Sequence, residues 1–354
     1  MRIAVVGAGA VGSLLAGCLA SAGHGVLILR RTGPDDPEPS SLRLVMPGGA
    51  PRDVRVVRAG VAALARPDPL DAGGLDVAIL AVKRFDLDDA LRALAAWPRL
   101  PAVTVQNGIG AEEVALRSRP DATLVAASLT SAAELGEAGE ARWLTRGGIA
   151  LAAVSGGAAS ETLAGALAGG FRAAGMRAAV LVDPVAMKWS KLAANLVGNA
   201  TGALLDMDVA SIYADPALYA IERRQAVETL AAMRGVGVSP IALPGADVPL
   251  LLAAYRAPGP IARRILGRVL GGARGEKMPS LRLALRAGAV RTEVAWLNGA
   301  VASAAERQGM SVPVNATLAR LVAEAAADAA RREWFRGHPD RLVREVESAI
   351  RDHR

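Results

Sequence analysis

The sequence predicts two domains: an α/β domain with a doubly wound parallel sheet over residues 1–182, and an all-α domain over residues 183–354. Three observations lead to this fold class. The length of 354 residues exceeds what a single hydrophobic core usually serves. Short branched-apolar runs alternate with helical patterns in the first half, which is typical of a parallel sheet covered on both faces. After Asp183 and Pro184 such runs nearly vanish, and long stretches of Ala, Leu and Arg follow.

The elements of the first half follow from hydrophobic periodicity. The run at 2–9 predicts a buried strand, and the residues at 10–24 have helical spacing that ends at Gly23. A second, amphipathic helix is predicted over 84–97. Further strands are predicted at 25–31, 42–49, 53–60, 75–83, 101–108 and 122–130. A Pro-Gly-Gly turn separates the pair at 42–49 and 53–60 and predicts a connection between them.

The second half is predicted to be a helical bundle. Its long helical stretches are 185–205, 210–235, 280–308 and 314–333. Residues 243–279 are rich in Pro, Gly and Arg and predict an irregular segment with one short helix near 260–270. The Arg-rich part at 256–274 is interpreted as a solvated loop, the alternative being a contact with an anionic group of the substrate. The charged tail from His338 predicts an amphipathic surface helix or an oligomer contact.

Composition and charge exclude several classes of protein. The net charge is +7, but acidic and basic residues are interspersed and only 3% of residues are aromatic, which disfavours nucleic-acid binding. No apolar stretch is long and clean enough to predict a membrane span. The single cysteine, Cys18, excludes a disulfide within the chain and favours a reducing compartment. We therefore expect a cytoplasmic protein, with Cys18 as a small buried apolar side chain.

The N-terminal sequence GAGAVG carries the most specific local signal. It follows a predicted strand and opens a predicted helix, which is the context that a dinucleotide-binding turn requires. Gly7 permits the tight turn, Gly9 lets a pyrophosphate approach the backbone, and Gly12 lets helix and strand pack closely. This context favours a Rossmann-like domain and not a structural turn without ligand. The predicted cofactor contacts here are Gly7, Ala8, Gly9, Ala10, Val11 and Gly12.

The charges that follow the turn indicate the type of dinucleotide. The second strand ends at Arg30 and Arg31, where an NAD site would carry a carboxylate. Guanidinium groups pair with a 2′-phosphate, so NADP(H) is the predicted cofactor, the alternative being two ordinary exposed arginines. Lys83 and Asn107 each end a predicted strand. Because ligands bind outside the carboxyl ends of parallel strands, both are predicted near the cofactor.

A polar stripe stands out in the helical half. Lys191, Asn195 and Asn199 follow one another at steps of four among Leu, Ala and Val. On one helix these side chains would form a slanting row, which favours a cleft wall over a solvent face. Glu293 and Asn298 are likewise isolated polar residues in an apolar, helix-like stretch, although Glu293 fits an ordinary helix-surface pair equally well.

Taken together, these motifs resemble those of the ketopantoate reductases (2-dehydropantoate 2-reductases). The resemblance rests on GAGAVG, on VK at 82–83, on QNGIG at 106–110, on WSKLAANLVGNATGAL at 189–204 and on TEVAWLNG followed by VPVN within 292–315. It spans nearly the whole chain. It implies NADPH-dependent reduction of a 2-keto acid by hydride transfer, and it also suggests a homodimer.

The resemblance assigns roles to individual residues. Lys191 matches the general acid, while Asn195, Asn199 and Ser280 match residues that hold the substrate. Glu293 matches a glutamate beside the nicotinamide ribose and the substrate hydroxyl. Asn107 matches an asparagine that contacts both cofactor and substrate, with the match to Lys83 close by. A further cofactor contact falls at Ala133.

The sequence also departs from the pattern of that family. The segment before Ser280 is longer, Leu283 and Ala284 stand where an acidic residue is usual, and Val209 stands near the place of a further substrate asparagine. An additional residue lies between Gly288 and Glu293. The substrate could therefore be ketopantoate or a related ketone. The alternatives are another two-domain dehydrogenase, of the β-hydroxyacid or opine type, and a non-catalytic NADP-sensing protein.

Overall fold

The chain forms two compact units in a computed structural model that describes residues 1–33, 36–65, 74–257, 263, 266 and 278–353. The first unit contains Met1–Gln106, Gly110–Lys188 and Leu243–Ala246, and the second contains Asn107–Ile109, Trp189–Ala242 and Asp247–Arg354. The division between the units falls between Lys188 and Trp189. The domain boundary predicted after residue 182 stays a prediction.

The first unit is built on one sheet, which has eleven strands within the described residues. The strands are β1 (Arg2–Val6), β2 (Gly25–Arg30), β3 (Glu38–Val45), β4 (Arg52–Gly60), β5 (Val77–Leu80), β6 (Ala102–Thr104), β7 (Leu124–Leu129), β8 (Ala133–Leu135), β9 (Ala141–Trp143), β10 (Gly148–Ser155) and β11 (Arg177–Leu181). Their order across the sheet is β11-β10-β7-β6-β5-β1-β2-β4-β3-β9-β8.

The centre of the sheet is parallel, and its flanks are mixed. Strands β7, β6, β5, β1, β2 and β4 are parallel neighbours, whereas β3 pairs antiparallel with β4, β8 with β9 and β10 with β7. The turn predicted between 42–49 and 53–60 is present and makes β3 and β4 a hairpin, with Gly48 at φ 68°. The predicted α/β fold class is confirmed, with a mixed sheet in place of a wholly parallel one.

Both faces of the sheet are covered, which explains its uninterrupted apolar strands. The helices of this unit are α1 (Ala10–Ser21), α2 (Leu87–Ala93), α3 (Ala111–Ser118) and α4 (Ala158–Ala173). Ile3 and Val5 of β1 face the core formed with α1 and α4, while Ala4 and Val6 face the core formed with α2 and α3. The predicted helix over 84–97 shortens to a 3-10 turn at Arg84–Asp86 followed by α2.

The second unit is helical, as predicted. Its helices are α5 (Pro184–Leu196, which begins in the first unit), α6 (Asn199–Leu205), α7 (Val209–Ala214), α8 (Pro216–Gly235), α9 (Val248–Ala254), α10 (Ser280–Arg286), α11 (Asn298–Glu306), α12 (Pro313–Ala327), α13 (Ala329–Phe335) and α14 (Pro339–Asp352). The predicted tail helix corresponds to α14, which buries Leu342 and Val346.

The prediction that the four long stretches of this half are continuous helices is wrong, because each stretch is interrupted. The stretch 185–205 breaks at Gly198, which adopts φ 59°. The stretch 210–235 breaks at Asp215, whose carboxylate accepts the backbone N–H groups of the next helix, and 314–333 breaks at Asp328 in the same way. Such caps end one helix and start another. Within 280–308, residues 287–297 are not α-helical.

Two predicted features of the second half cannot be compared with the structure. The short helix predicted near 260–270 and most of the Arg-rich segment 256–274 lie outside the described residues. Within the residues that the structure does describe, no helix combines the length and hydropathy needed to cross a bilayer. The same residues contain no group of three or more His, Cys, Asp or Glu side chains that could hold a metal ion.

Candidate active site

The GAGAVG turn is shaped by close backbone contacts at its first and last glycine. Gly7 has φ 114°, and a Cβ there would lie 2.8 Å from the carbonyl group of Ala81. A Cβ on Gly12 would lie 1.9 Å from the carbonyl oxygen of Gly7. Neither position has room for a side chain, so the end of β1 and the first turn of α1 pack as the sequence predicts.

The middle glycine differs, because space opens in front of it. Among the described residues, no heavy atom other than those of its chain neighbours would lie within 4 Å of a Cβ on Gly9, which is the N-cap of α1. The first turn of α1 contains no acidic residue, and no described side chain caps it. An open backbone beside a helix N-terminus attracts anionic groups. The residues present therefore fit the pyrophosphate of a dinucleotide, whose contacts with Gly7, Ala8, Gly9, Ala10, Val11 and Gly12 remain a prediction.

Three arginines lie around the end of β2, and two of them, Arg30 and Arg31, were predicted. Arg30 is exposed, and Arg31 bonds the Asp86 carboxylate at 2.7 Å while 74% of its side chain stays exposed. Arg58 on β4 is half-buried, and its pKa lies below the ordinary value because of burial and of the nearby charge of Arg30. An anion would relieve this repulsion between guanidinium groups. The sequence has no local signal for Arg58, because only the pairing of β4 with β2 brings it near Arg30.

The other two predicted cofactor residues occupy different surroundings. Lys83 is the N-cap of the Arg84–Asp86 turn, and its carbonyl oxygen accepts the N–H of Asp86 at 2.9 Å. Ala133 opens β8 and packs, nearly buried, in the core that contains α1. Their roles toward a cofactor remain predictions.

In the second unit, helix α5 presents a lysine and an amide one turn apart. Lys191 and Asn195 are both half-buried. The Nδ2 group of Asn195 donates to Oδ1 of Asn107 at 3.0 Å. The structure therefore joins two of the predicted substrate residues, 88 positions apart in the chain, by a direct hydrogen bond.

The loop that carries Asn107 is also held from a second side. The N–H of Ile109 donates to the carbonyl oxygen of Trp296 at 3.1 Å. Gly108 has φ 84°, and a Cβ there would lie 2.1 Å from the same oxygen. Glu293, only 6% exposed, immediately precedes the 3-10 turn Val294–Trp296. The loop thus contacts both α5 and the segment that contains Glu293.

The predicted continuous stripe is wrong at its third member. Asn199 does not lie on α5, since the chain turns at Gly198 and Asn199 begins α6. The turn is stabilised by the buried carboxylate of Glu222, which accepts the N–H of Gly198 and the hydroxyl of Thr201, both at 2.7 Å. A Cβ on Gly198 would lie 2.9 Å from a methyl group of Val209. Val209, near the place of the family's further asparagine, is thus a core residue.

Asn199 nevertheless comes close to Ser280. Its Oδ1 accepts the N–H of Leu281 at 3.2 Å, and Ser280 is the first residue of α10. Asn199 is nearly fully buried, whereas Ser280 is half-buried. These two predicted substrate residues are therefore neighbours. The side-chain oxygen of Asn199 is already bonded to the backbone next to Ser280.

Asn298 has a structural explanation. It is fully buried, and its Nδ2 donates to Gln225 at 2.8 Å and to Asn315 at 3.1 Å. Asn315 in turn donates to the carboxylate of Glu228 at 3.0 Å, and burial raises the pKa of that carboxyl. The LNG and VPVN motifs thus meet in a polar network inside the helical unit.

Lys188, which was not predicted as a site residue, is buried in the first unit. Its Nζ donates to the carbonyl oxygen of Gln106 at 2.6 Å and pairs with Glu112 at 3.1 Å. Glu112 also accepts the hydroxyl of Thr104 at 2.7 Å. The only local signal was a second lysine one turn before Lys191.

Comparisons with known proteins agree with these features. Residues 3–156 match the family model described as ketopantoate reductase PanE/ApbA, and residues 183–326 match the model of its C-terminal part. The 2-dehydropantoate 2-reductase of Halobacterium salinarum is 30% identical over 338 residues, which cover 93% of this chain and all of that protein.

Solved structures share the fold over nearly the whole chain. A PanE/ApbA family ketopantoate reductase from Ralstonia eutropha JMP134 has a TM-score of 0.71 at 25% identity, covering 92% of this chain and 98% of that one. A D-mandelate dehydrogenase with NADH and anilino(oxo)acetate has a TM-score of 0.69 at 18% identity, covering 95% and 99%. The second likeness concerns the fold alone.

Proposed function

Because the chain belongs to the ketopantoate reductase family, we propose that it reduces a 2-keto acid, ketopantoate or a close relative, with NADPH. Membership confirms the predicted enzyme class, an NADP-dependent oxidoreductase acting on a ketone, and the predicted cofactor, NADP(H). The finer parts of the proposal concern the substrate, the preference for NADPH over NADH, and the residues that carry the reaction.

Lys191 is proposed as the general acid. The nicotinamide, when bound, supplies the hydrogen and two electrons that reduce the ketone carbon. Negative charge then builds on the carbonyl oxygen, and the ammonium of Lys191 stabilises that charge and delivers a proton to the oxygen. The position of Lys191 on a half-buried face of α5, one turn from Asn195, supports this role.

Two pairs of polar residues are proposed to hold the substrate. The hydrogen bond from Asn195 orients the amide of Asn107, so that its NH2 group can donate to a substrate oxygen. Asn199 and Ser280 form the second pair, beside the N-terminus of α10. Such groups fix geometry without adding charge. The buried carboxylate of Glu293 is proposed to accept a hydrogen bond from a hydroxyl of the substrate or of the nicotinamide ribose.

The preference for NADPH is proposed to come from the arginines at the end of β2. Arg30 and Arg31 are exposed there, and Arg58 adds a third positive charge from the neighbouring strand. A 2′-phosphate would compete with Asp86 for Arg31, and the charge repulsion between Arg30 and Arg58 favours the phosphate. Lys83 and Ala133 complete the proposed cofactor contacts.

A cytoplasmic location and a homodimer are part of the proposal. A single buried cysteine is consistent with a reducing compartment. Light scattering of the purified protein tests the second point, because a monomeric mass would exclude the homodimer.

The observation that carries the proposed function is the direct bond between Asn195 on the helix of Lys191 and Asn107 in the loop after β6. NADPH oxidation, followed by absorbance against a panel of 2-keto acids that includes ketopantoate, tests it. We expect saturable turnover with ketopantoate or a branched analogue, and slower turnover with NADH. Turnover restricted to imines, or to β-oxo acids, would favour an opine or a β-hydroxyacid dehydrogenase, respectively. Binding of NADPH without any turnover would favour a sensor.

A further inference from the structure

We infer that Lys188 is a positioning residue for the reaction: it holds the backbone at Gln106 against α5 and so sets the geometry between Asn107 and Lys191. This inference rests on the proposed function. The side chain of Lys188 is only 5% exposed. A buried ammonium is costly unless it is paired and hydrogen-bonded, and here both conditions are met.

The ammonium is fixed by groups from two further elements. Glu112, in the first turn of α3, lies 3.1 Å from Nζ, and its own position is set by the hydroxyl of Thr104 at the end of β6. The carbonyl oxygen of Gln106 accepts from the same Nζ at 2.6 Å. Lys188 therefore has one defined position, from which it donates to one particular backbone carbonyl.

Gln106 is held by its side chain as well. Its Nε2 donates to the carbonyl oxygens of Leu80 at 2.7 Å and Val82 at 3.1 Å, which lie at the end of β5. With the bond from Lys188, both the side chain and the backbone oxygen of Gln106 are engaged. The position of the backbone just before Asn107 is therefore well defined.

Helix α5 contacts two successive residues of this loop. Lys188 bonds Gln106, and Asn195, seven positions later, bonds Asn107. Seven residues are about two helical turns, so the two side chains lie on one face of α5. Lys191 lies between them on the same helix. A change at residue 188 would thus shift Asn107 relative to Lys191, and a displacement of about 1 Å can reduce turnover about 100-fold.

Stability alone does not account for the ion pair. Well-packed apolar side chains of similar volume often stabilise a fold as well as a buried ion pair does. An apolar side chain cannot, however, donate a hydrogen bond to the carbonyl oxygen of Gln106. Removing the charge of Lys188 and that of Glu112 together therefore separates the two roles.

The test compares Lys188→Met with the double variant Lys188→Met/Glu112→Gln. The single variant leaves the Glu112 carboxylate buried without its cation, so we expect a lower Tm and a kcat reduced about 100-fold. The double variant removes both charges. We expect it to recover Tm but not kcat, since the donor to Gln106 is still missing. Val185→Ala, at a half-exposed position of α5, is the control and should change neither quantity.

Hydrogen exchange provides a readout that does not depend on turnover. We expect amides in 105–110 to exchange faster in both Lys188→Met variants. Recovery of both Tm and kcat in the double variant, or unchanged exchange at 105–110, would overturn the inference. If the wild-type protein reduces no 2-keto acid, the proposed function fails instead, and the exchange measurement still tests the contact. If the single variant does not fold, the double variant alone decides.

Discussion

The substitution Gly9→Ala separates cofactor binding from folding, because the open space at this glycine has no role in the fold itself. Gly9 has φ −76° and ψ −178°, a conformation that any residue adopts. In the part of the chain that the structure describes, no heavy atom except those of the two adjacent residues lies within 4 Å of the position of the new methyl group. The substitution therefore places a methyl group in the space proposed for the pyrophosphate and does not disturb the packing of the fold.

The expected effect on stability is small. Replacing Gly by Ala lowers the entropy of the unfolded chain, which stabilises the fold by about 0.4–1 kcal/mol. Ala is a poorer N-cap than Gly by a similar amount, about 0.5–1 kcal/mol. These terms nearly cancel, so we expect the Tm of Gly9→Ala to lie within about 2 °C of the wild-type value.

The expected effect on NADPH is large. The methyl group would displace a phosphate from the N–H groups at the start of α1, and one hydrogen bond to a charged group is worth about 1.5–3 kcal/mol. At about 1.4 kcal/mol for each factor of ten, Kd should rise between about tenfold and 150-fold. Fluorescence titration of NADPH measures this change, and differential scanning calorimetry measures Tm.

Two other glycines of α1 provide matched comparisons. A Cβ on Gly17 would lie 3.3 Å from a methyl of Leu44, away from the N-terminus of the helix, so Gly17→Ala should leave Kd unchanged. A Cβ on Gly12 would lie 1.9 Å from the oxygen of Gly7, so Gly12→Ala should lower Tm and weaken NADPH binding together. Wild-type affinity in a stably folded Gly9→Ala variant would refute the proposed pyrophosphate position.

Three further predictions concern single side chains. Lys191→Ala should lower kcat by about 10²- to 10⁴-fold with an unchanged Kd for NADPH in the same titration, and equal losses of both would contradict its role as an acid. Arg31→Asp should shift the ratio of kcat/KM values from NADPH toward NADH, whereas an unchanged ratio would mean that the 2′-phosphate binds elsewhere. Burial raises the pKa of the Cys18 thiol to about 12, so iodoacetamide should label the native protein far more slowly than the unfolded chain, as mass spectrometry would show. The pKa of Cys18 is higher in the native protein than in the unfolded chain. The free energy of unfolding should therefore decrease as the pH rises above the pKa of the unfolded thiol.

Much of the first unit was predictable because its signals are local. The strands β1, β2 and β5 are buried on both faces and therefore appear as unbroken apolar runs. By contrast, β8 and β9 have three residues each, which is too few to show a period, and they were not predicted. The elements β10, β11, α3 and α4 were not predicted either.

The candidate substrate residues were predictable by type but not by arrangement. The spacing of Lys191, Asn195 and Asn199 predicted one continuous helix, and the helix breaks at Gly198 because Glu222, 24 positions away, accepts its N–H. A glycine inside an apolar helical pattern does not by itself reveal such a partner. The same holds for Arg58, which lies near Arg30 only through strand pairing.

The sequence by itself determined the glycine turn, the basic residues that follow it and the alternation of strands and helices, since each depends on the backbone conformation or periodicity of adjacent residues. The tertiary structure alone decided which polar groups meet: Asn195 with Asn107, Asn199 with the backbone beside Ser280, and Lys188 with Gln106. The physical reason is that such contacts join residues more than eighty positions apart. They form only after the sheet and helices have closed the long loops between them, and local propensity contains no record of that closure.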